Sequence, residues 1–315
     1  RTNSSVVALT RSESSREKLD LVLQQSAKAT KAAKSRLKVV ECDLRDERKM
    51  MKVTEGADAA IWCATGFSDG SSAWSKLLGL ISLYSKRTVD VDGMATLGKC
   101  IHAQREKSGC TSDAPEVVMC SSAGVTRTTW DENKRAAFPG AADIPIVRLN
   151  PFGILDEKRK SEEMLRSTPC RYAIVRPTGL NDEWPTGRPV ISQGDMAVGR
   201  INRDDVAELL CMVLGEPNAC GKTFEVLGLP GYPKPRSLHE VLGRLSTDVE
   251  LAKQGGTLDQ SQLQLEYGLL QQLLPGESLD AAALAAGQTY EQYDAGEEGR
   301  LGKRGEEQVP LRAER

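Results

Sequence analysis

The chain has 315 residues, 39% hydrophobic, 4% aromatic and 27% charged, with a formal net charge of −2. That is enough apolar material for one large domain or two ordinary ones, packed by Val, Leu, Ile and Ala rather than by aromatic rings. No basic block invites nucleic acid, and no apolar run approaches the ~20 residues a membrane-crossing helix needs.

The elements follow in a strand–helix alternation. Ser5–Arg11 reads as a strand ending in a basic residue, and Ser14–Arg36 as a polar helix with some loop. Leu37–Cys42 is a second strand, followed at once by Asp43, and Asp46–Gly56 is a short helix that Gly56 can terminate. Asp58–Ala64 is a third strand. A loop carrying the apolar stretch Trp74–Tyr84 precedes a helix over Val89–Gln104. Val117–Cys120 is the pivotal strand. Its unbroken apolar run, stopped by Ser121, Ser122 and a glycine, fits a strand covered on both faces of a parallel sheet. A helix over Glu157–Arg166, a strand over Tyr172–Arg176 ended by Pro177, a helix over Arg203–Leu214 and a strand over Thr223–Leu227 complete the alternation. The fold class is α/β, a doubly wound parallel sheet. Such sheets place ligands just beyond the carboxyl ends of their strands.

Residues 1–235 form this domain. Segment 236–315 differs, with 8 Lys and Arg against 14 Asp and Glu. It reads as a helical, acidic extension with helices over Asp259–Leu274 and Leu279–Tyr293, a disordered end over Glu297–Arg315, and a role in docking a protein partner. The eight cysteines (Cys42, Cys63, Cys100, Cys110, Cys120, Cys170, Cys211, Cys220) contain no CxxC pair, and the only histidines are His102 and His239. Neither a metal site nor a disulfide framework is expected. The cysteines read as small buried hydrophobes in a reducing, soluble compartment.

The strand-end residues suggest a nucleotide site. Arg11 is either a cation for a 2′-phosphate or a solvated surface residue. Asp43 is either an acceptor for an adenine amino group or the N-cap of the following helix. Ala64-Thr65-Gly66 either brings bare backbone to a flat cofactor or makes a tight turn. Asp204 or Asp205 caps the helix that follows, and Asp205 reads as structural. The punctuated stretch Asn181–Gly194 is a loop for a substrate or partner surface, with Trp184 either stacking or buried.

The ordered set RS (11–12), DL (43–44), CATG (63–66), VDVDG (89–93), VMCSSAGV (118–125), KRKSEEML (158–165), YAIVRPTGL (172–180) and INRDDVA (201–207) resembles the atypical short-chain dehydrogenase/reductases. The likeness is to the NmrA-like NAD(P)-binding proteins of plastids, a group that includes the redox-sensing component of the chloroplast import translocon. It implies a Rossmann-like fold and a dinucleotide cofactor, NADP before NAD. Arg11 and Ser12 would lie at the 2′-phosphate, and Asp43 and Leu44 at the adenine. Ala64, Thr65, Gly66 and Ser121 would lie along the strand ends, and Arg176 and Pro177 at the loop over the nicotinamide. Ser122 would polarise a carbonyl, and Lys158 would hold the ribose. A plastid location rests on the same resemblance.

Two departures stand out. The position four before Lys158, where the family carries its proton-donating tyrosine, is Ile154, and Tyr84 or Tyr172 could substitute only by an accident of the fold. The glycine-rich turn that would hold the pyrophosphate is lacking, since no GxGxxG occurs and GxxGxxG spacing falls only within Gly296–Gly305, far from the first strand. The chain is therefore expected to be an N-terminally incomplete version of a longer protein, with a strand lacking between those at Val6 and Ala59. Two readings stay open. One is a redox-related NAD(P)-binding protein, a weak oxidoreductase at most. The other is a non-catalytic structural or assembly subunit of an organellar complex that keeps a nucleotide for stability.

Overall fold

The computed structural model describes residues 4–25, 34–64, 73–150, 153–255 and 258–273. In chain order these form β1 (Val6–Thr10), α1 (Glu13–Gln25), β2 (Leu37–Glu41), α2 (Glu47–Val53), β3 (Ala60–Trp62), α3 (Ala73–Ser108) and β4 (Val117–Cys120). Three short helices follow, α4 (Glu132–Ala137), α5 (Pro139–Ala142) and α6 (Pro145–Leu149), and then α7 (Ile154–Arg166). The second half contains β5 (Tyr172–Pro177), β6 (Gly179–Leu180), β7 (Gly187–Ser192), β8 (Arg200–Ile201), α8 (Arg203–Leu214) and β9 (Lys222–Pro230). It closes with α9 (His239–Gly243), α10 (Asp248–Lys253) and α11 (Gln260–Gln272).

The central sheet has the order β3–β4–β5–β9–β7, parallel except for β7, which runs antiparallel to β9. Successive residues of a strand point to opposite faces, and both faces are covered. Val117, Met119 and Ile174 pack with Met94, Leu97, Cys100 and Ile101 of α3 and Leu165 of α7. Val118, Ala173 and Val175 pack on the other side with Val206, Leu209, Leu210 and Val213 of α8. The absence of polar alternation in VVMC thus has its cause in two helical layers. Each fully buried side chain of this size contributes about 1.5–3 kcal/mol.

β1 and β2 pair in parallel as a sheet of their own, and among the described residues no strand is hydrogen-bonded between β1 and β3. Val6 and Val7 are exposed, and Leu9 packs against the α3 side of the core.

Several local readings are corrected by the structure. The stretch Trp74–Tyr84 is not a loop but part of α3, a helix of 36 residues. The stretch Asn181–Gly194 is not all loop. It contains β7, whose Pro189 sits at the sheet edge, where a missing N–H costs no ladder bond. The N-cap before α2 is Asp46, which accepts from Lys49 N at 3.0 Å, so Asp43 is not the cap. Likewise α8 is capped by Asn202, which accepts from Asp204 N at 2.8 Å, and by neither aspartate. Asp205 is buried, accepting from Gly187 N at 2.9 Å and pairing with Lys234 at 2.6 Å. The proposed helix Leu279–Tyr293 and the end Glu297–Arg315 lie outside the described residues.

The described part of the C-terminal segment folds back on the molecule. Leu263, Tyr267 and Leu270 of α11 pack with Trp130, Phe138 and Met196. Tyr267 meets Phe138 edge-on at 5.3 Å, and its hydroxyl accepts from Gly140 N at 3.1 Å. Beneath them lies a layer of buried charge. Arg127, with no exposed surface, donates to the carbonyls of Asp195 (2.5 Å), Ala141 (3.1 Å) and Ala197 (2.6 Å). Asp195 accepts from Gly124 N, Thr126 N and Thr126 Oγ1, each at 2.7 Å. Glu225 of β9 is equally buried. It accepts from Ser192 Oγ at 3.2 Å on one oxygen, while the other has no partner.

Asp195→Ala removes the carboxylate that accepts from Gly124 and Thr126 and that lies 3.7 Å from Arg127 Nε, stripping the buried guanidinium of its nearest counter-charge. The expected cost is about 3–5 kcal/mol, read as a lower urea midpoint; a change below about 1 kcal/mol would show that the pair does not hold the loops together. Burial, and then the charge of Asp195, push the Glu225 carboxyl up to about 7 from 4.5. The native state therefore binds a proton that the unfolded chain releases between those values. This stability is fully present below about 4.5 and is lost as the pH rises through 7. Denaturation of Glu225→Gln against pH should show a flatter profile across that window than the parent chain, and parallel profiles would refute the assignment.

Candidate functional site

The carboxyl ends of the parallel strands converge on one rim. The turn after β4 is held by backbone bonds across to β5, with Ser121 N donating to Val175 O at 2.7 Å and Ala123 N to Pro177 O at 2.9 Å. Gly124 closes the turn at φ +95°, a left-handed conformation that disfavours side chains, and a Cβ there would meet Val147 at 3.0 Å. On the α3 side Gly93 lies so close to Trp62 and to the Leu44 carbonyl that a Cβ would stand 3.0 and 3.2 Å from them. The helix thereby comes right up to the ends of β2 and β3. Ser161 Oγ of α7 donates to the Asp90 carbonyl of α3, fastening the two helices.

The rim gathers some of the expected residues and diverts others. Arg11 is exposed just past β1, and its charge is felt by Asp43 just past β2. Asp43 is gripped by Arg45, whose Nε and Nη2 donate at 2.9 and 2.7 Å and whose backbone N donates at 3.0 Å. Those bonds hold the Asp43 carboxyl down at about 2. Ser12 lies at the start of α1, its hydroxyl 3.1 Å from that of Ser15 and accepting from Ser15 N at 3.4 Å. Leu44 and Ala64 are half-buried and pack on the core. Thr65 and Gly66 lie outside the described residues.

Ser121 turns inward, donating to Glu162 Oε1 at 2.6 Å. Ser122 is half-buried, and its hydroxyl is occupied only by the neighbouring Ala123 carbonyl at 3.0 Å. Lys158 is half-buried one turn into α7, and its charge acts on the thiols of Cys63 and Cys120 at the ends of β3 and β4. Arg176 does not reach the rim. It is buried and forks onto Glu162 at 2.9 and 2.6 Å. Pro177 is buried as the last residue of β5. Trp184 is half-buried, its ring N–H donating to Gly228 O at 3.3 Å.

Ile154 opens α7 against Val125, Val147 and Leu155, so no proton donor stands at that position. Tyr172 cannot replace one. It begins β5 at the opposite edge of the sheet, donates to Asp248 at 3.1 Å, and is pushed up by burial and then by that carboxylate. Tyr84 falls in α3, and its side chain lies outside the described residues.

Sequence reasoning missed a second polar centre. A cavity of about 400 Å³ lies on the α7 and α11 side of the sheet, lined by Lys134, Arg166, Arg176, Asp195, Glu225 and Asp248, with Trp130 and Leu263 among the apolar lining. Burial lowers the Lys134 ammonium, which sits 4.7 Å over the Trp130 ring. Of the expected site residues only Arg176 borders this cavity. Charged residues inside otherwise apolar strands, Arg176 and Glu225, were the signal for it. The cysteines also departed from expectation. Cys42 is buried, but Cys63 is exposed and Cys120 only half-buried. Among the described residues no group of three His, Cys, Asp or Glu is placed to hold a metal ion.

Comparison with known proteins bears on this rim. A family model described as NAD(P)H-binding matches residues 4–217. An uncharacterised chloroplastic protein of Arabidopsis thaliana is 27% identical over 201 residues, 63% of this chain and 62% of the relative. An uncharacterised sugar epimerase of Bacillus subtilis is 28% identical over 173 residues, 55% of this chain and 64% of the relative. In each case the matched part spans less than two thirds of the curated relative. Among solved structures, an oxidoreductase of Lactococcus lactis aligns with a TM-score of 0.47 at 18% identity, over 76% of this chain and 95% of that one. A short-chain dehydrogenase/reductase of Veillonella parvula in complex with NADP aligns at 0.43 and 14%, over 74% and 99%. Likenesses this loose say nothing of chemistry. The family match runs from just before β1 to beyond α8 and so takes in the elements that carry Arg11, Asp43, Ser122 and Lys158; the chain belongs to the NAD(P)H-binding family.

Proposed function

We propose that the chain is an NmrA-like, atypical short-chain dehydrogenase/reductase that binds NADP in preference to NAD across its strand-end rim. The observation that carries this reading is a pair of cations at the two ends of that rim. Arg11 stands past β1, and Lys158 stands beside the ends of β3 and β4. The residues fit the group. Arg11 is an exposed cation where a 2′-phosphate would lie, with Ser12 beside it. Asp43 is held ionised by Arg45 and keeps lone pairs for an adenine amino group. Leu44, Ala64, Thr65 and Gly66 would flank the adenosine, and Lys158 would donate to ribose hydroxyls.

NADPH, when bound, would supply a hydride. Ser122, whose hydroxyl is tied only to its neighbour's carbonyl, would orient an acceptor oxygen. Ser121, Arg176 and Pro177 would act from behind, fixing the turn that carries Ser122 rather than touching cofactor. Ile154 has no proton to give, so carbonyl reduction in the usual manner is not available at that position. Plastid residence belongs to the same reading and is supported by the chloroplastic relative. A partner for the acidic extension could not use Leu263, Tyr267 or Leu270, which are occupied within the molecule. The second reading, a nucleotide-keeping structural subunit, is favoured by Ile154 and by the engagement of Arg176 with Glu162.

Fluorescence titration with NADPH and NADH tests the first reading. NADPH is expected to bind at least tenfold more tightly. Arg11→Ala should weaken NADPH roughly tenfold, the loss of about 1.5 kcal/mol of charged hydrogen bonding, while leaving NADH unchanged. Equal affinities for the two nucleotides would remove the role given to Arg11. Any NADPH-dependent turnover that survives Ser122→Ala unaltered would favour the subunit reading.

A further inference from the structure

The ladder between β3 and β4 is in register, with Ala60 opposite Val117, Ile61 opposite Val118 and Trp62 opposite Met119. The next step of that register sets Cys63 against Cys120. Neighbouring strands lie about 4.8 Å apart, and Cα atoms bridged by a disulfide lie about 4.4–6.8 Å apart. Trp62 and Met119 face the α3 layer, so by alternation both cysteines face the other side, where Cys120 packs against the α8 core. Each thiol acts on the other's acidity, the pairing raising Cys63 and lowering Cys120. Cys63 is exposed, and Cys120 is half-buried. Cys63 lies just beyond the last ladder pair, so the strand ends are free to draw together without breaking a backbone bond.

We propose that Cys63 and Cys120 are a reversible dithiol–disulfide pair set into the rim of the strand-end site, oxidised by small disulfides of the glutathione type. The reaction balances as thiol–disulfide exchange. The Cys120 thiolate attacks one sulfur of RSSR. A Cys120–SR bond forms, the S–S bond of RSSR breaks, and RS⁻ leaves and takes up the proton that Cys120 lost. Cys63 then gives up its proton and attacks the Cys120 sulfur. The Cys63–Cys120 bond forms, and the second RS⁻ leaves with that proton. Two protein thiols are oxidised, and one RSSR is reduced to two RSH.

The surroundings fix the order of attack. The pairing with Cys63, and then the charge of Lys158, lower the Cys120 thiol against the opposing effect of burial, while the same pairing holds the proton on Cys63. The thiolate is the nucleophile in such exchange. Cys211, on α8, is near enough to feel Cys63, but burial raises its thiol, so it stays protonated. A bridge between adjacent strands is more strained than one across a loop, and strained bridges are the readily reduced, regulatory ones. The pair does not depend on the dinucleotide reading.

The test uses the full chain, fully reduced, equilibrated with mixtures of reduced and oxidised glutathione, then alkylated in denaturant and mapped by mass spectrometry. The expected result is that Cys63 and Cys120 lose alkylation together and appear in one cross-linked peptide pair, while the other cysteines remain alkylated. In Cys63→Ser, Cys120 should instead accumulate a stable mixed disulfide with glutathione. Alkylation of both thiols at every ratio, or a bridge from either one to Cys211, would overturn the proposal. So would failure of Cys120 to form the mixed disulfide in a Cys63→Ser protein whose circular dichroism is that of the parent.

Discussion

Glu162 is fully buried on α7, a place where burial alone would push a carboxyl up and strip it of charge. It is held below its usual range instead, because the charge of Arg176 and the fork of hydrogen bonds from it outweigh desolvation, with Arg166 and Ser121 adding to them. Three structural elements meet at this one side chain. Arg176 comes from β5, Ser121 from the turn after β4, and Arg166 from the end of α7, where it also binds Thr223 of β9 at 2.8 Å. A buried pair of this kind gains little net stability over an apolar replacement, but removing one partner strands the other charge. Its consequence is positional. The turn bearing Ser122 and the helix bearing Lys158 are referred to the same carboxylate, and the rim inherits their geometry.

The same network separates the molecule into two polar regions. Toward the carboxyl edge lie Arg11, Asp43, Ser122 and Lys158, which are exposed or half-buried. Behind it, on the α7 and α11 side, lie Arg127, Asp195 and Glu225, sealed by Trp130, Phe138 and Tyr267. Arg176 belongs to the second region although its sequence position, immediately before the end of β5, suggested the first. Alternation along the strand decides the matter. Val175 faces the α8 core, so Arg176 faces α7, where Glu162 waits.

What was legible in the chain was whatever burial writes directly into composition. The apolar run Val117–Cys120 announced a central strand, and the i, i+3, i+4 spacing of Val206, Leu209 and Leu210 announced the inner face of α8. Caps were harder, because Asp43 and Asp46, or Asn202 and Asp204, offer the same chemistry within a few residues. Only the backbone angle at each position chooses between them. β7 was hidden by Gly187 and Pro189, residues that punctuate loops but are harmless on an edge strand. The N-terminal half of α3 carries an apolar stretch without polar alternation, which suits a buried helix and an apolar loop alike. The cavity left only the trace of Arg176 and Glu225 within apolar strands, and the cysteine pair left none, since both are made by residues far apart in sequence that meet only in the fold.

On the proposed reading, Ile154 in the place of a tyrosine and the placing of the two thiols are parts of one local arrangement. In the short-chain dehydrogenase/reductases that the sequence resembles, a lysine at the position of Lys158 lowers the pKa of a phenol one turn earlier on the helix. Here that turn carries Ile154, which packs away into Val125, Val147 and Leu155. The ammonium is therefore left beside a different acidic pair, and the strand ends supply Cys63 and Cys120 within its field. A positive charge next to a thiol favours the thiolate for the same reason that it favours a phenolate. On the proposed reading the electrostatic device is the same, while the group on which it acts is a sulfur acid rather than an oxygen acid. A rim of that kind suits electron-pair transfer between sulfurs without any displacement of Ser122, Lys158 or the backbone that carries them.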